Sequence, residues 1–279
     1  MVCSSTNGAH LKPLQNVLGR LSPAKRSRKQ RSHPTMLKAK FERLYQESPK
    51  YFVDRLKTHR KERMSRQIIA DYLKSNDVKK LQIGCGPNTM QGCWLNTDLY
   101  FTKHKVAYLD AGKPFPFPDA AFEYIYSEHM FEHLKFAQGL NMLGECFRVL
   151  KPGGDIRLAT PDIDFLIKLY TDPHSDLHKQ YIRWATATFV PEVTAYVKED
   201  ECSAAFVVNN FFRNWGHEVL YHYQGLESVF RKHGFIQISR KQVGESEIAT
   251  FKKLEKHGEI IPPKFNALET MVVEAKKPA

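Results

Sequence analysis

Three points in the first half of the chain combine residue types that could hold a nucleoside. Gly84-Cys85-Gly86 follows the apolar run Leu81-Gln82-Ile83, and two glycines so placed let backbone approach a ligand closely. Asp98 closes the run Trp94-Leu95-Asn96-Thr97-Asp98, where a carboxylate can accept both hydroxyls of a ribose. Asp110 closes Val106-Ala107-Tyr108-Leu109-Asp110 and is placed to bind an adenine amino group. Gly-x-Gly alone also serves as a tight turn, so the weight falls on the three points together. The third glycine that opens a helix in the dinucleotide fingerprint is absent, and Asn88-Thr89-Met90-Gln91-Gly92-Cys93 is too short and broken for a long first helix. With no phosphate cradle, the pattern favours S-adenosylmethionine over a nicotinamide or flavin dinucleotide.

Transfer from a sulfonium is an in-line displacement that depends mainly on positioning, with a modest base to take the acceptor's proton. His129, at the end of the run Phe122-Glu123-Tyr124-Ile125-Tyr126-Ser127, is the best-placed base; it could equally serve as a hydrogen-bonder at a helix start. Asp162, just past the next strand, could also face the cleft. His217 is a rival, ending the aromatic patch Asn209-Asn210-Phe211-Phe212-Arg213-Asn214-Trp215-Gly216-His217, which reads either as a substrate wall or as a satellite core. His129-Met130-Phe131-Glu132-His133 also satisfies H-x-x-E-H, the inverted zinc-protease pattern, for which Glu199 or Glu201 could supply a third ligand. A protease would leave the glycines and aspartates at consecutive strand ends unexplained, so no metal is assigned.

The elements that must position these residues alternate between strand and helix, which implies an α/β fold: a Rossmann-like, doubly wound, mostly parallel sheet. Helical runs over 34–76, interrupted at Pro49, lead into the core or cap the cleft. Further strands fall at Asp155–Thr160, Phe235–Ile238 and Glu269–Ala275. Helices carry Leu134 to Leu150 and Leu226 to His233, with Lys151-Pro152-Gly153-Gly154 as a stop and Pro161 opening a helix. Residues 172–216 lack a clean period and read as an insertion within a 77–279 domain. Of the formal charge of +12, nine Lys/Arg fall in the acid-free residues 1–40, which leaves +3 elsewhere. Residues 1–33 therefore read as a basic flexible tail, able to touch nucleic acid or to carry a nuclear or organellar address. Leu11, Leu14, Leu18 and Leu21 could form a presequence stripe, weakened by Pro13 and Gly19. No run is long enough to span a bilayer, and five scattered cysteines suit a reducing, cytoplasmic setting.

Several segments resemble the class I methyltransferase superfamily, and within it the small "type 11" methyltransferases. The likeness rests on Leu81–Gly86 as first motif, on Leu109-Asp110-Ala111 with Pro116-Phe117-Pro118-Asp119, and on Ser127–Leu134. Arg148-Val149-Leu150-Lys151-Pro152-Gly153-Gly154 completes it. The segment between Gly86 and Asp98 is shorter than in the family. The resemblance implies that Gly84, Cys85 and Gly86 line the cofactor, that Asp98 holds its ribose, and that Asp110 and Ala111 border its adenine. It places Ser127, Glu128 and His129 beside the sulfonium. It also implies a methyl acceptor that is a small molecule, methylated on oxygen or nitrogen; RNA or protein reached through the basic tail is the alternative.

Overall fold

The structure, a computed structural model, describes residues 49–75, 77–100 and 105–279. The basic tail, the presequence stripe and the helical run before Pro49 lie outside the described residues. Two compact units are distinguished, Met1–Arg55 and Leu56–Ala279. Of the first, only the opening of one helix is described, and the account below concerns the second.

Helix α1 (Pro49–Ser75) begins at the proline expected to interrupt it. A first-turn proline loses no hydrogen bond, because the first N–H groups of a helix have no intrahelical partner. The strands are β1 (Lys80–Ile83), β2 (Trp94–Asp98), β3 (Ala107–Tyr108), β4 (Phe122–Glu128), β5 (Leu150–Pro161), β6 (Ile236–Lys241) and β7 (Thr270–Lys276). They form one sheet in the order β3-β2-β1-β4-β5-β7-β6. β1 to β5 pair in parallel, and β7 runs antiparallel between β5 and β6. Strand order reverses at β1, which has β2 on one side and β4 on the other, so the crevice of a doubly wound sheet falls at the carboxyl tips of these three strands.

Helices α2 (Phe136–Val149) and α7 (Tyr223–Lys232) cover the sheet with apolar stripes. Met142, Leu143, Cys146, Leu226 and Phe230 pack with Leu81, Ile83, Phe122, Ile125 and Ile156, all essentially inaccessible to solvent. The segment read as an aperiodic insertion is helical: α4 (Asp176–Phe189), α5 (Pro191–Thr194) and α6 (Ala204–Arg213). Together with α3 (Ile163–Thr171) and α8 (Pro263–Glu269) these build a second core around Phe165, Leu169, Tyr181, Val207, Phe211 and Phe265. Its helices are short and pack on several sides at once, which blurs any single apolar period.

Three boundaries differ from those expected. β3 is only two residues long; on its outer side the Tyr108 N–H donates to Ser65 Oγ of α1 at 2.6 Å. β5 begins at Leu150 and runs through Pro152-Gly153-Gly154, which were expected only to stop a helix. Gly153 takes φ +75° and its N–H bonds the Lys277 carbonyl, so strand pairing resumes across the turn. Pro161 is the last residue of β5 and not the start of a helix; Asp162 caps α3 instead.

β5 carries Arg157 at its centre, fully buried, with Nε 2.6 Å from Glu255 and Nη1 2.5 Å from Glu274. Nη1 also donates to the Glu245 carbonyl. Removing the cation strands two buried carboxylates, whereas neutralising all three groups leaves none uncompensated. Arg157→Met should destabilise the fold by about 3–5 kcal/mol in urea melts, and adding Glu255→Gln and Glu274→Gln should recover most of that loss.

Candidate functional site

β1 ends in a turn that only glycine can make. Gly84 has φ +70°, and a Cβ there would lie 2.2 Å from Met130 Cγ. Its N–H and that of Cys85 both donate to the Thr97 carbonyl, locking the turn onto β2. Gly86 follows with φ +48°, and nothing stands within 4 Å of where its Cβ would be, so bare backbone faces open space. The Gly86 N–H donates to Asp98 Oδ2 at 2.8 Å, and Oδ1 accepts the Tyr100 N–H at 2.6 Å. Each carboxylate oxygen thus keeps a further acceptor position. Asp110 is held likewise, with Gly112 N–H on Oδ1 and Lys113 on Oδ2 at 2.9 Å. Past the turn, residues 84–93 form no helix, in keeping with the short, broken sequence there. Buried Gln82 and Asn96 grip the loop instead: Gln82 binds the Asn88 carbonyl and the Met90 N–H, and Asn96 binds the N–H and carbonyl of Met90. These two amides were not singled out in the sequence; polar side chains inside short apolar strands were the available signal.

Gly84, Gly86, Asp98, Asp110 and Ala111 border one cleft of 500 Å3, together with Leu99, Leu109, Met130 and Leu134. That volume lies within the range of ligand sites, and apolar walls with a few convergent carboxylates suit an adenosine. α1 extends the adenine end: Ser65, Arg66 and Ile69 line a smaller adjoining hollow with Leu109 and Asp110.

Three residues expected beside the cofactor lie elsewhere. Cys85 is buried, with Sγ on the Gly86 carbonyl, and does not border the cleft. Ser127 is fully buried and donates to the Ile83 carbonyl, tying β4 to β1. Glu128 points to the other side of its strand and accepts the N–H groups of Lys256 and His257. Asp162, expected as a base, is also turned away. It caps α3 through the Asp164 N–H and pairs with Arg240 at 2.5 Å. A good helix-capping residue at a strand end has the same sequence appearance as an acid facing the cleft.

His129 does sit at the cleft, in the left-handed region at φ +45°. Thr270 spends its hydroxyl proton on Asn266 Oδ1, so its oxygen accepts from His129 Nε2 at 3.1 Å. Nδ1 faces Glu132 Oε1 at 3.3 Å. Burial opposes the charge on the imidazole, yet Glu132 outweighs it and raises the His129 pKa above its usual value. Burial likewise disfavours the Glu132 carboxylate, and His129 overcomes this and lowers its pKa. With Nε2 bonded to Thr270 and Nδ1 held against the Glu132 carboxylate, His129 is a poor base. The 129–133 segment is not an α-helix: Phe131–His133 forms one 3-10 turn, so the two histidines of H-x-x-E-H diverge. Glu199 and Glu201 belong to a separate 3-10 turn, and Glu201 borders a different hollow beside Arg183 and Cys202.

Beyond His129 lies a second pocket of 230 Å3 walled by Pro161, Phe189, Phe211, Trp215, Ile260 and Ile261. His129, His133 and Trp215 border both spaces and stand between them. His217 stands in this pocket with Nδ1 2.8 Å from the Phe211 carbonyl, which fixes the proton on Nδ1 and leaves the Nε2 lone pair free. Burial lowers its pKa. The rival histidine thus has the free nitrogen that His129 lacks.

A family model described as a methyltransferase domain matches residues 99–158, which include Asp110 and the 127–134 segment. No curated protein sequence matches the chain. Among solved structures, one similar in part is a SAM-dependent methyltransferase from Archaeoglobus fulgidus, 18% identical, covering 81% of this chain and 99% of that one, with a TM-score of 0.41. Another, from Thermotoga maritima, is described as a possible histamine N-methyltransferase; it is 16% identical over 85% of this chain and 98% of that one, TM-score 0.37. Phosphoethanolamine N-methyltransferase 2 of Haemonchus contortus, solved with S-adenosylmethionine, is 14% identical over 78% of this chain and 53% of its own, TM-score 0.38. The chain matches a methyltransferase domain over residues 99–158 and has the strand order of a doubly wound α/β sheet. It is an S-adenosylmethionine-dependent methyltransferase. Among the described residues, no helix is long and apolar enough to cross a membrane.

Asp98→Ala removes a charged acceptor and two backbone anchors at once. It should weaken S-adenosylmethionine binding by roughly 10- to 100-fold in calorimetry, the loss of one or two charge-assisted hydrogen bonds. Gly84→Ala, which collides with Met130, should reduce binding further, and Gly86→Ala should act through backbone strain alone.

Proposed function

We propose that the enzyme methylates an oxygen or nitrogen of a small acceptor held in the 230 Å3 pocket beyond His129. The bound cofactor supplies an electrophilic methyl group on a sulfonium. Asp98 would take the ribose hydroxyls and Asp110 the adenine edge, with Gly84 and Gly86 as the backbone floor. The observation that carries the acceptor assignment is the shared border at His129, His133 and Trp215, which sets the adenosine-sized cleft against a smaller, mostly apolar pocket. An acceptor seated there would face the methyl carbon across these three side chains, and in-line displacement needs such proximity.

The pocket chemistry narrows the acceptor. Six apolar walls favour a compact, largely apolar body, and a polar end formed by Glu132, His133 and His217, together with His129, His257 and Glu269, favours a hydroxyl or amine on it. The acceptor's proton leaves at that polar end, where His217 offers the free lone pair. His129, with both nitrogens engaged, instead stands between the two spaces and places positive charge beside Glu132. A macromolecular acceptor would have to thread a flexible group into a space this small and would draw on residues 1–33.

Incubation with methyl-labelled cofactor and a cell extract should put label into small molecules. Label recovered only in RNA or protein would overturn the proposal, as would loss of turnover when residues 1–33 are deleted. Trp215→Ala should raise the acceptor KM by about tenfold while leaving cofactor affinity within a few-fold. His217→Ala should lower kcat by about 10²–10⁴-fold, the range for losing the group that handles the acceptor proton.

A further inference from the structure

Glu132, His133 and His217 each present a ligand atom such that the three atoms lie within 4.8 Å of one another. They come from two segments that are fastened together. The Glu132 carbonyl accepts the N–H groups of both Glu218 and Val219, so the turn bearing Glu132 and His133 cannot separate from the strand entry bearing His217. We propose that these three residues bind a divalent first-row transition ion, of the Zn2+ kind, at the polar end of the acceptor pocket.

The donor set is two imidazoles and one carboxylate. That combination suits borderline ions such as Zn2+, Co2+ and Fe2+, and is poor for Mg2+ or Ca2+, which demand oxygen shells. Each ligand is already prepared. His217 Nδ1–H is spent on the Phe211 carbonyl, which directs the Nε2 lone pair outward, as in metal-bound histidines. Glu132 Oε2 accepts the Thr160 hydroxyl at 3.0 Å, which orients the carboxylate from behind. The second carboxylate oxygen, Oε1, is buried and makes no well-directed hydrogen bond; the His129 ion pair at 3.3 Å is its sole close cation among the described residues. A fully buried carboxylate oxygen left short of donors in a pocket is an unexplained cost to the fold, and a cation removes it. His133 is the exposed member and can swing inward. Ligand atoms about 2.1 Å from a tetrahedral metal sit roughly 3.4 Å apart, so closure needs only a side-chain rotation.

Three protein ligands leave a fourth position open towards the pocket, the arrangement of reactive metal sites. An acceptor hydroxyl bound there would lose its proton more easily, because the ion stabilises the resulting alkoxide. This rests on the acceptor-pocket assignment and refines it: the His217 lone pair would bind the ion and not the proton.

The test uses full-length protein stripped with a chelator and titrated with Co2+, whose visible absorption reports coordination. One equivalent should bind with the intense bands of four- or five-coordinate Co2+, be displaced by Zn2+, and be unaffected by excess Mg2+. His133→Gln, at an exposed position, should leave the melting curve intact and weaken Co2+ binding at least tenfold, and His217→Gln should do the same. Absence of binding, or wild-type affinity in both variants, overturns the inference. If Co2+ does not bind while His217→Ala still abolishes methyl transfer, the metal site falls and the acceptor pocket stands. If Co2+ binds as expected but Trp215→Ala leaves the acceptor KM unchanged, the metal site stands and the acceptor pocket falls.

Discussion

The acceptor side of the molecule is organised by one buried carboxylate. Glu132 has no accessible surface, and taking an isolated carboxylate out of water costs several kcal/mol unless charge and hydrogen bonds compensate. The fold answers from two directions: Thr160, at the tip of β5, donates to one oxygen, and His129, at the tip of β4, faces the other. The Glu132 backbone carbonyl separately accepts two amides from the 218–219 segment, which anchors the turn. Each answer fixes an element that borders a pocket. His129 is drawn into the left-handed region to reach Glu132, a conformation that costs of order 1 kcal/mol and persists only where neighbours enforce it. The Thr270 hydroxyl and the His257 ring, stacked 4.0 Å away, supply that enforcement.

The cofactor side depends on the opposite device, the removal of atoms. Gly84 makes room for Met130, and Met130 in turn forms part of the cleft wall directly before the Glu132 turn. The same side chain that forbids a Cβ on β1 therefore ties the adenosine cleft to the segment carrying His129, Glu132 and His133. Around it, Thr97 accepts two amides from the glycine turn and donates its hydroxyl to the Gln82 carbonyl, while Ser127 donates to the Ile83 carbonyl. Three neighbouring strand tips are thus held in register by hydroxyls that point inward, and the two aspartates project from an almost rigid base.

The sheet and its cofactor cleft were legible in the sequence because their cues are local. Gly84-x-Gly86, Asp98 and Asp110 each follow a short apolar run, and strand tips in a parallel sheet converge by construction. Strand-end residues whose side chains alternate in direction were not separable in this way. Ser127 and Glu128 adjoin His129 in sequence, yet one is buried between strands and the other serves the 256–257 loop, since successive strand residues face opposite sides. Asp162 looked like an acid in the cleft because a capping residue and a base occupy the same place after a strand. The partnership of Glu132 and His133 with His217 was invisible for a different reason: Glu132 and the Glu218 amide that fastens the two segments lie 86 positions apart, and no local pattern encodes a contact that distant.

Left-handed residues cluster where the two pockets adjoin. His129 at φ +45° and Trp215 at +57° border both the cleft and the smaller pocket, and Gly216 at +74° borders the cleft. A histidine tolerates this region better than most residues, but a tryptophan there is uncommon and has no local compensation. Its compensation is tertiary: the indole packs edge-on against Phe189 at 5.0 Å and Phe211 at 5.6 Å, side chains of the helical insertion. The insertion therefore does more than fill space with its own core. By holding Trp215 in a conformation the chain would otherwise avoid, α4 and α6 shape the wall that the two pockets share. Changes in the insertion core, far from either pocket floor, are thereby coupled to acceptor fit while the strand-tip carboxylates remain untouched.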